Sequence, residues 1–207
     1  MKAVLIHGFS GTPEEMEEIK KAIPEWNPVS PLLPGHGGAE DELLSAHAED
    51  WMRTVEEVVE PGDAVIGFSL GSFLGIIASL KVPLSGLAML SPPVFLRDKR
   101  VSLSFLARIF KKVPVDIQGK KIPAGAVYEF LRVRKLALPM LEKVEVPVFI
   151  VISEDDPMVE PESAEYVWER IGSRRKRILR VKDAGHMLVY HPEVVREVGE
   201  WLREIKS

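Results

Sequence analysis

The 207-residue sequence predicts an α/β fold, a mostly parallel sheet flanked by helices. Three observations predict it. The apolar runs Ala3-Val4-Leu5-Ile6, Ala64-Val65-Ile66, Leu87-Ala88-Met89-Leu90 and Val148 to Ile152 are nearly continuous, as in strands buried on both faces. Helical patterns separate them. Gly67-Phe68-Ser69-Leu70-Gly71 lies where one such strand meets a helix, the setting in which G-x-S-x-G forms a tight turn.

The elements follow in order. Ala3 to Ile6 is a short strand leading into His7-Gly8-Phe9-Ser10-Gly11. A helix is expected from Pro13 to Ile23, with Thr12 as its cap, proline in its first turn and Glu14 and Glu15 near its positive end. A second is expected from Ala48 to Val59, and Pro61-Gly62-Asp63 then turns into the Ala64 strand. The next helix covers Leu70 to Leu80. The strand from Val146 to Ile152 ends in Ser153-Glu154-Asp155-Asp156-Pro157, and a helix covers Glu160 to Ile171. The last strand, Arg177 to Val181, ends in Asp183-Ala184-Gly185-His186, before a helix from Pro192 to Ile205.

The chemistry collects at strand ends. A serine on a sharp strand-to-helix turn projects its hydroxyl above the sheet, so Ser69 is the candidate nucleophile. A carboxylate and an imidazole each follow a later strand, where loops at the carboxyl edge of a parallel sheet converge. His186 is the candidate base and Asp156 or Asp155 the candidate acid. The backbone N–H groups of Phe9 and Leu70 are placed to stabilise a developing oxyanion. His7 and His36 lie in glycine-containing turns and read as structural, and His47 and His191 read as surface or helix-start residues. No histidine pair has metal-ligand spacing with a carboxylate, so no metal and no cofactor are expected.

These pieces resemble the α/β-hydrolase family, and within it small prokaryotic carboxylesterases and monoacylglycerol lipases. The resemblance is carried by His7 to Pro13, Leu33-Pro34-Gly35-His36-Gly37, Gly67 to Gly71, Asp156-Pro157-Met158-Val159 and Ala184-Gly185-His186, in family order. It implies a catalytic triad of Ser69, Asp156 and His186. Asp156 is preferred over Asp155 because the family acid stands three residues before a valine, here Val159. Two departures stand out: the usual pair of antiparallel strands before the first motif is missing, and Ser153 replaces a customary glycine.

The strand–helix rhythm lapses after Ser91-Pro92-Pro93, for about fifty residues, too long for an ordinary connection. The resemblance implies a helical cap at 94–143 inserted into a hydrolase core of 1–93 and 144–207. Helical pieces are expected at Leu103 to Phe110 and Ala124 to Leu138, with Phe105, Leu106 and Phe110 as candidate acyl-pocket residues. The insert carries 12 Lys or Arg against four Asp or Glu. Anion capture and simple solvation of helix faces both account for that excess.

Composition sets the outer limits. A hydrophobic fraction of 46% suits a globular protein with a substantial core. Cys is 0, which excludes disulfides and thiolate metal sites. The net charge of −4 gives no overall attraction to nucleic acid, and Arg174-Arg175-Lys176-Arg177 has no interleaved aromatics. No apolar run reaches the roughly 20 residues of a membrane span, and the N-terminus reads as a strand rather than a signal peptide. The expectation is a cytoplasmic monomer or homodimer acting on a small-molecule ester. Charged residues at 28% and the absence of cysteine also suit a thermophile. The expected activity is hydrolysis of short- to medium-chain carboxylic esters through an acyl-enzyme. A thioesterase, amidase or lysophospholipase would use the same groups, and a cofactor-free haloperoxidase, a carbon–carbon hydrolase and a non-catalytic binding module stay open on this fold.

Overall fold

The computed structural model describes residues 1–98, 114–117 and 120–206. Its strands, in chain order, are β1 (Ala3–Ile6), β2 (Ala64–Phe68), β3 (Gly86–Leu90), β4 (Pro114–Ile117), β5 (Lys120–Pro123), β6 (Val148–Ser153) and β7 (Lys176–Val181). The α-helices are α1 (Glu17–Ala22), α2 (Glu40–Ser45), α3 (Ala48–Val58), α4 (Leu70–Ser79), α5 (Ala124–Ala137), α6 (Glu162–Arg170) and α7 (Pro192–Lys206).

Five strands form one parallel sheet in the order β1-β2-β3-β6-β7. Alternate residues along each strand feed two separate cores, as a period of two demands. Val4, Ile6, Val65, Leu87, Met89, Ile150 and Ile152 pack with α3, α4 and α5 on one face. Leu5, Ile66, Phe68, Leu90, Phe149 and Val151 pack with Trp26, Val198 and Trp201 on the other. Both faces are covered, which is why the strands read as unbroken apolar runs.

Beyond β1 the chain makes one further parallel bridge, Val4 to Val29, then returns across β1 to β2. Connections therefore leave β1 in opposite directions. Such a reversal opens a crevice at the carboxyl ends of the strands. The turns after β1, β2, β3, β6 and β7 all lie along that edge.

Several expectations are refined. The first helix splits into a 3₁₀ turn, Pro13–Met16, and α1, and Thr12 makes no side-chain cap. The short helix α2 lacked a clear periodic signal. The insert is not wholly helical. β4 and β5 pair antiparallel, with Val115 opposite Ile122. The helix expected from Ala124 is α5; the one expected at Leu103 to Phe110 lies outside the described residues.

Candidate active site

The turn from β2 to α4 is built by exclusion. A Cβ on Gly67 would stand 2.2 Å from the Gly71 carbonyl oxygen, and one on Gly71 would stand 2.3 Å from that of Ile6. Only glycine permits these approaches, so strand, turn and helix close tightly around Ser69. Ser69 itself takes φ 48° and ψ −112°, a conformation that side-chain-bearing residues rarely adopt. Its N–H donates to the Leu90 carbonyl at 2.8 Å, fixing the elbow to β3. Leu70 follows as the first residue of α4, where a backbone N–H has no intrahelical acceptor.

His186 is brought over this edge by the turn after β7, in which Asp183 and Gly185 both have positive φ. Its ring packs on Phe68, 5.1 Å between centroids. Its Nδ1 lies 2.8 Å from Asp156 Oδ2. Asp156 is fully buried. Its Oδ1 accepts from the N–H groups of Met158 and Val159 at 2.8 and 3.0 Å. Its Oδ2 also accepts from the Ser91 hydroxyl at 3.1 Å. Burial alone would push this carboxyl up. The His186 hydrogen bond and charge, with the two backbone donors, outweigh burial and hold it below the usual carboxylate range.

Asp155 does something different. It is exposed, and its Oδ1 accepts from the Ser153 hydroxyl at 2.6 Å and the Ala184 N–H at 3.3 Å. It ties the β6 loop to the β7 loop and leaves the imidazole to its neighbour. Ser153, the departure from the family's glycine, supplies one of those ties.

The turn after β1 is fixed from two sides. Gly8 N–H donates to Glu15 Oε2 at 3.0 Å. His7 Nδ1 lies 2.9 Å from the Gly8 carbonyl, and the Leu33 N–H donates to His7 Nε2 at 3.1 Å. A carbonyl only accepts and an N–H only donates, so His7 is the neutral Nδ1–H tautomer. Burial lowers its pKa. His36 stacks edge-on against His7 and Trp51, and burial, then the His7 ring, lowers its pKa to about 4. Both rings are struts of the turn.

Ser69 and His186 open onto one cavity of about 290 Å³. Gly8, Phe9 and Glu15 form one side, Pro157, Met158 and Met187 another, and Leu96, Ile122, Val127 and Phe130 the apolar wall. The anticipated pocket residues Phe105, Leu106 and Phe110 lie outside the described residues. Sequence reading missed Val127 and Phe130 because a helical pattern does not show which face turns inward, and Ile122 because it lies on β5, a strand the sequence reading did not expect. It also missed Ser91, Glu15 and Arg97. The first stood in plain view in Ser91-Pro92-Pro93, immediately after a strand. Arg97 Nε donates to the Asp156 main-chain oxygen at 2.7 Å, and its Nη1 pairs with Glu160 at 2.9 Å.

A parallel sheet with a strained serine elbow, an Asp–His pair and a glycine-bounded turn at one edge defines a class. The model of the alpha/beta hydrolase family matches residues 3–198, and the chain belongs to that family. It is similar to a carboxylesterase of Bacillus subtilis (strain 168), 24% identical over 99% of this chain and 93% of that protein. It is also similar to a thermostable monoacylglycerol lipase of Bacillus sp. (strain H-257), 23% identical over 89% of this chain and 82% of the relative. A solved structure from work on LipS and LipT, two metagenome-derived lipolytic enzymes, superposes with a TM-score of 0.83 at 21% identity, covering 99% and 93% of the two chains.

Proposed function

We propose that this chain is a serine hydrolase of carboxylic esters with short to medium acyl chains, acting through an acyl-enzyme. The observation that carries the reading is the Asp156–His186 hydrogen bond at 2.8 Å, beside a serine on a strained elbow in the same cavity. Membership of the family and similarity to a carboxylesterase and a monoacylglycerol lipase support the coarser statement, an esterase- or lipase-type hydrolase.

In this mechanism the Ser69 hydroxyl attacks the ester carbonyl while the ring of His186 takes its proton at Nε2. Asp156 holds Nδ1–H and stabilises the imidazolium. The N–H groups of Phe9 and Leu70 receive the oxyanion, each donor contributing about 3 kcal/mol to the transition state. The proton passes to the departing alkoxide, the alcohol leaves, and water releases the acid by the same route in reverse. Residues 94–143 act as a cap. Its described part supplies an apolar acyl wall through Leu96, Ile122, Val127 and Phe130.

The test is Ser69→Ala. The variant should fold, and its kcat/KM for a p-nitrophenyl ester should fall by about four orders of magnitude or more. A fluorophosphonate should label the wild type and not the variant. Near wild-type turnover by clean Ser69→Ala would overturn the assignment.

A further inference from the structure

Two adjacent strands end alike. Ser69 after β2 has φ 48° and Ser91 after β3 has φ 46°, one step past the Phe68–Leu90 pair. A left-handed conformation is costly for any residue with a Cβ. At Ser69 the proposed chemistry accounts for it, since the elbow presents the nucleophile. Ser91 presents nothing to the cavity. It is completely buried, and its hydroxyl is 3.1 Å from Asp156 Oδ2.

An ionised carboxylate offers about four lone-pair sites and no donor, so here the serine hydroxyl donates. Two sites on Oδ1 take the Met158 and Val159 N–H groups, and one on Oδ2 takes the His186 ring. Ser91 fills the fourth. The backbone cannot substitute, because the Ser91 N–H is committed to the Val151 carbonyl at 2.8 Å.

We propose that Ser91 is a positioning residue of the triad: its hydroxyl closes the last free site of the buried Asp156 and leaves Oδ2 a single direction in which to accept from His186. This rests on the reading of Ser69, Asp156 and His186 as that triad. The O–H dipole turns its positive end towards the carboxylate. It therefore offsets part of the negative charge felt by the imidazole and opposes a resting imidazolium. Loss of the hydroxyl makes the imidazolium easier to form, and the acid limb of the pH–kcat/KM profile moves to higher pH.

Other charges face this pair. Glu15 and Asp98 share the cavity with His186, Arg97 holds the Asp156 main chain, and Glu160 pairs with Arg97. Asp155 bonds the Ala184 N–H, and Lys182 and Asp183 precede the histidine in its own loop. All are unchanged in the variants below, so the limb is read against a constant background.

Two variants separate hydroxyl from strain. Ser91→Ala removes the donor and keeps the Cβ at positive φ. Ser91→Gly removes both. Each should raise the acid limb by about half a unit to one unit, a fraction of what a hydrogen bond to a charged group is worth. On the plateau, kcat should fall about two- to tenfold with KM unchanged. Ser91→Gly should melt no lower than Ser91→Ala. Ser91→Cys, a weaker donor of similar shape, should lie between wild type and Ser91→Ala. A readout free of turnover is the His186 Nδ1–H proton resonance of the folded protein, assigned by its absence in His186→Gln; it should move in Ser91→Gly. If Ser91→Gly keeps the wild-type limb and resonance, or if only Ser91→Ala is impaired, strain and not the hydroxyl is responsible and the proposal is overturned. With Ser69→Ala inactive, that result removes Ser91's role alone. Turnover by Ser69→Ala removes the triad reading and this one together.

Discussion

Two neighbouring carboxylates, Asp155 and Asp156, receive different tasks from one residue's difference in position. Asp156 is buried among donors and faces His186; Asp155 is exposed and bridges two loops. Asp156→Asn should cut kcat by about 10⁴ by leaving His186 in the wrong tautomer. Asp155→Asn should lower stability by about 1 kcal/mol and spare most activity, because an amide still accepts at one oxygen. Activity assays beside urea melts of both variants check this, and the reverse pattern would exchange their roles. The buried His36 gives a second expectation at this scale. Its folded pKa, about 4, lies below the ordinary 6.5. The unfolded chain therefore binds the extra proton first as pH falls, and stability drops between those two values. The loss approaches about 3 kcal/mol at the acid end. His7 is lowered by the same burial and adds in the same direction. Urea midpoints at pH 7 and pH 4.5 should differ in wild type, and His36→Asn should narrow the gap.

At the scale of elements, the nucleophile turn depends on contact between backbones. Gly71→Ala would set a methyl 2.3 Å from the Ile6 carbonyl and cost at least about 3 kcal/mol, driving α4 off β1. Helix α5 has both a structural and a lining face. Arg132 joins it to α3 through Glu49 and to its own Glu129, which also accepts from the Ala48 N–H at 3.0 Å. Phe130 faces the cavity and packs on Phe9, 5.2 Å between centroids. Phe130→Ala should cost about 3 kcal/mol in stability and move the preferred p-nitrophenyl ester to a longer acyl chain, read as kcat/KM across a chain-length series. Strands and most helices were legible because each buries a regular period: β1 and α4 appear where their apolar runs place them. In the sequence Ser69 stands out as the centre of a pentapeptide at a strand-to-helix junction and His186 as an imidazole in the loop after the last strand, whereas the preference for Asp156 over Asp155 comes from the family resemblance. The wall of the cavity was not. Which face of α5 turns inward is decided by its packing on α4, a long-range contact that no local pattern encodes. Ser91 was passed over for a similar reason, since its partner lies 65 residues away.

For the whole molecule the open question is charge. The insert holds 12 basic and four acidic residues in a chain of net charge −4. Three of its cations are already engaged. Arg97 holds the acid loop, Arg132 ties α5 to α3, and Arg134 donates to the Val94 carbonyl. The first two fasten the insert to the core, the third closes a contact within the insert, and all three are poorly available to a ligand. Glu15 and Asp98 line the cavity itself, and neither favours an anion next to Ser69. Among the described residues no helix is long and apolar enough to cross a membrane. These features favour a neutral ester over an anionic one. Added salt shortens the reach of exposed charge to about 10 Å at 0.1 M ionic strength. If the basic residues steered substrates, kcat/KM for an acyl-CoA or lysophospholipid would fall steeply with salt while that of a neutral ester stayed level. We expect instead that a neutral ester of short to medium chain is the best substrate, with kcat/KM changing less than about threefold between 0.05 and 0.5 M salt. A strong, salt-sensitive preference for the anionic substrates would assign the insert's charge to capture and place the enzyme in a different substrate class.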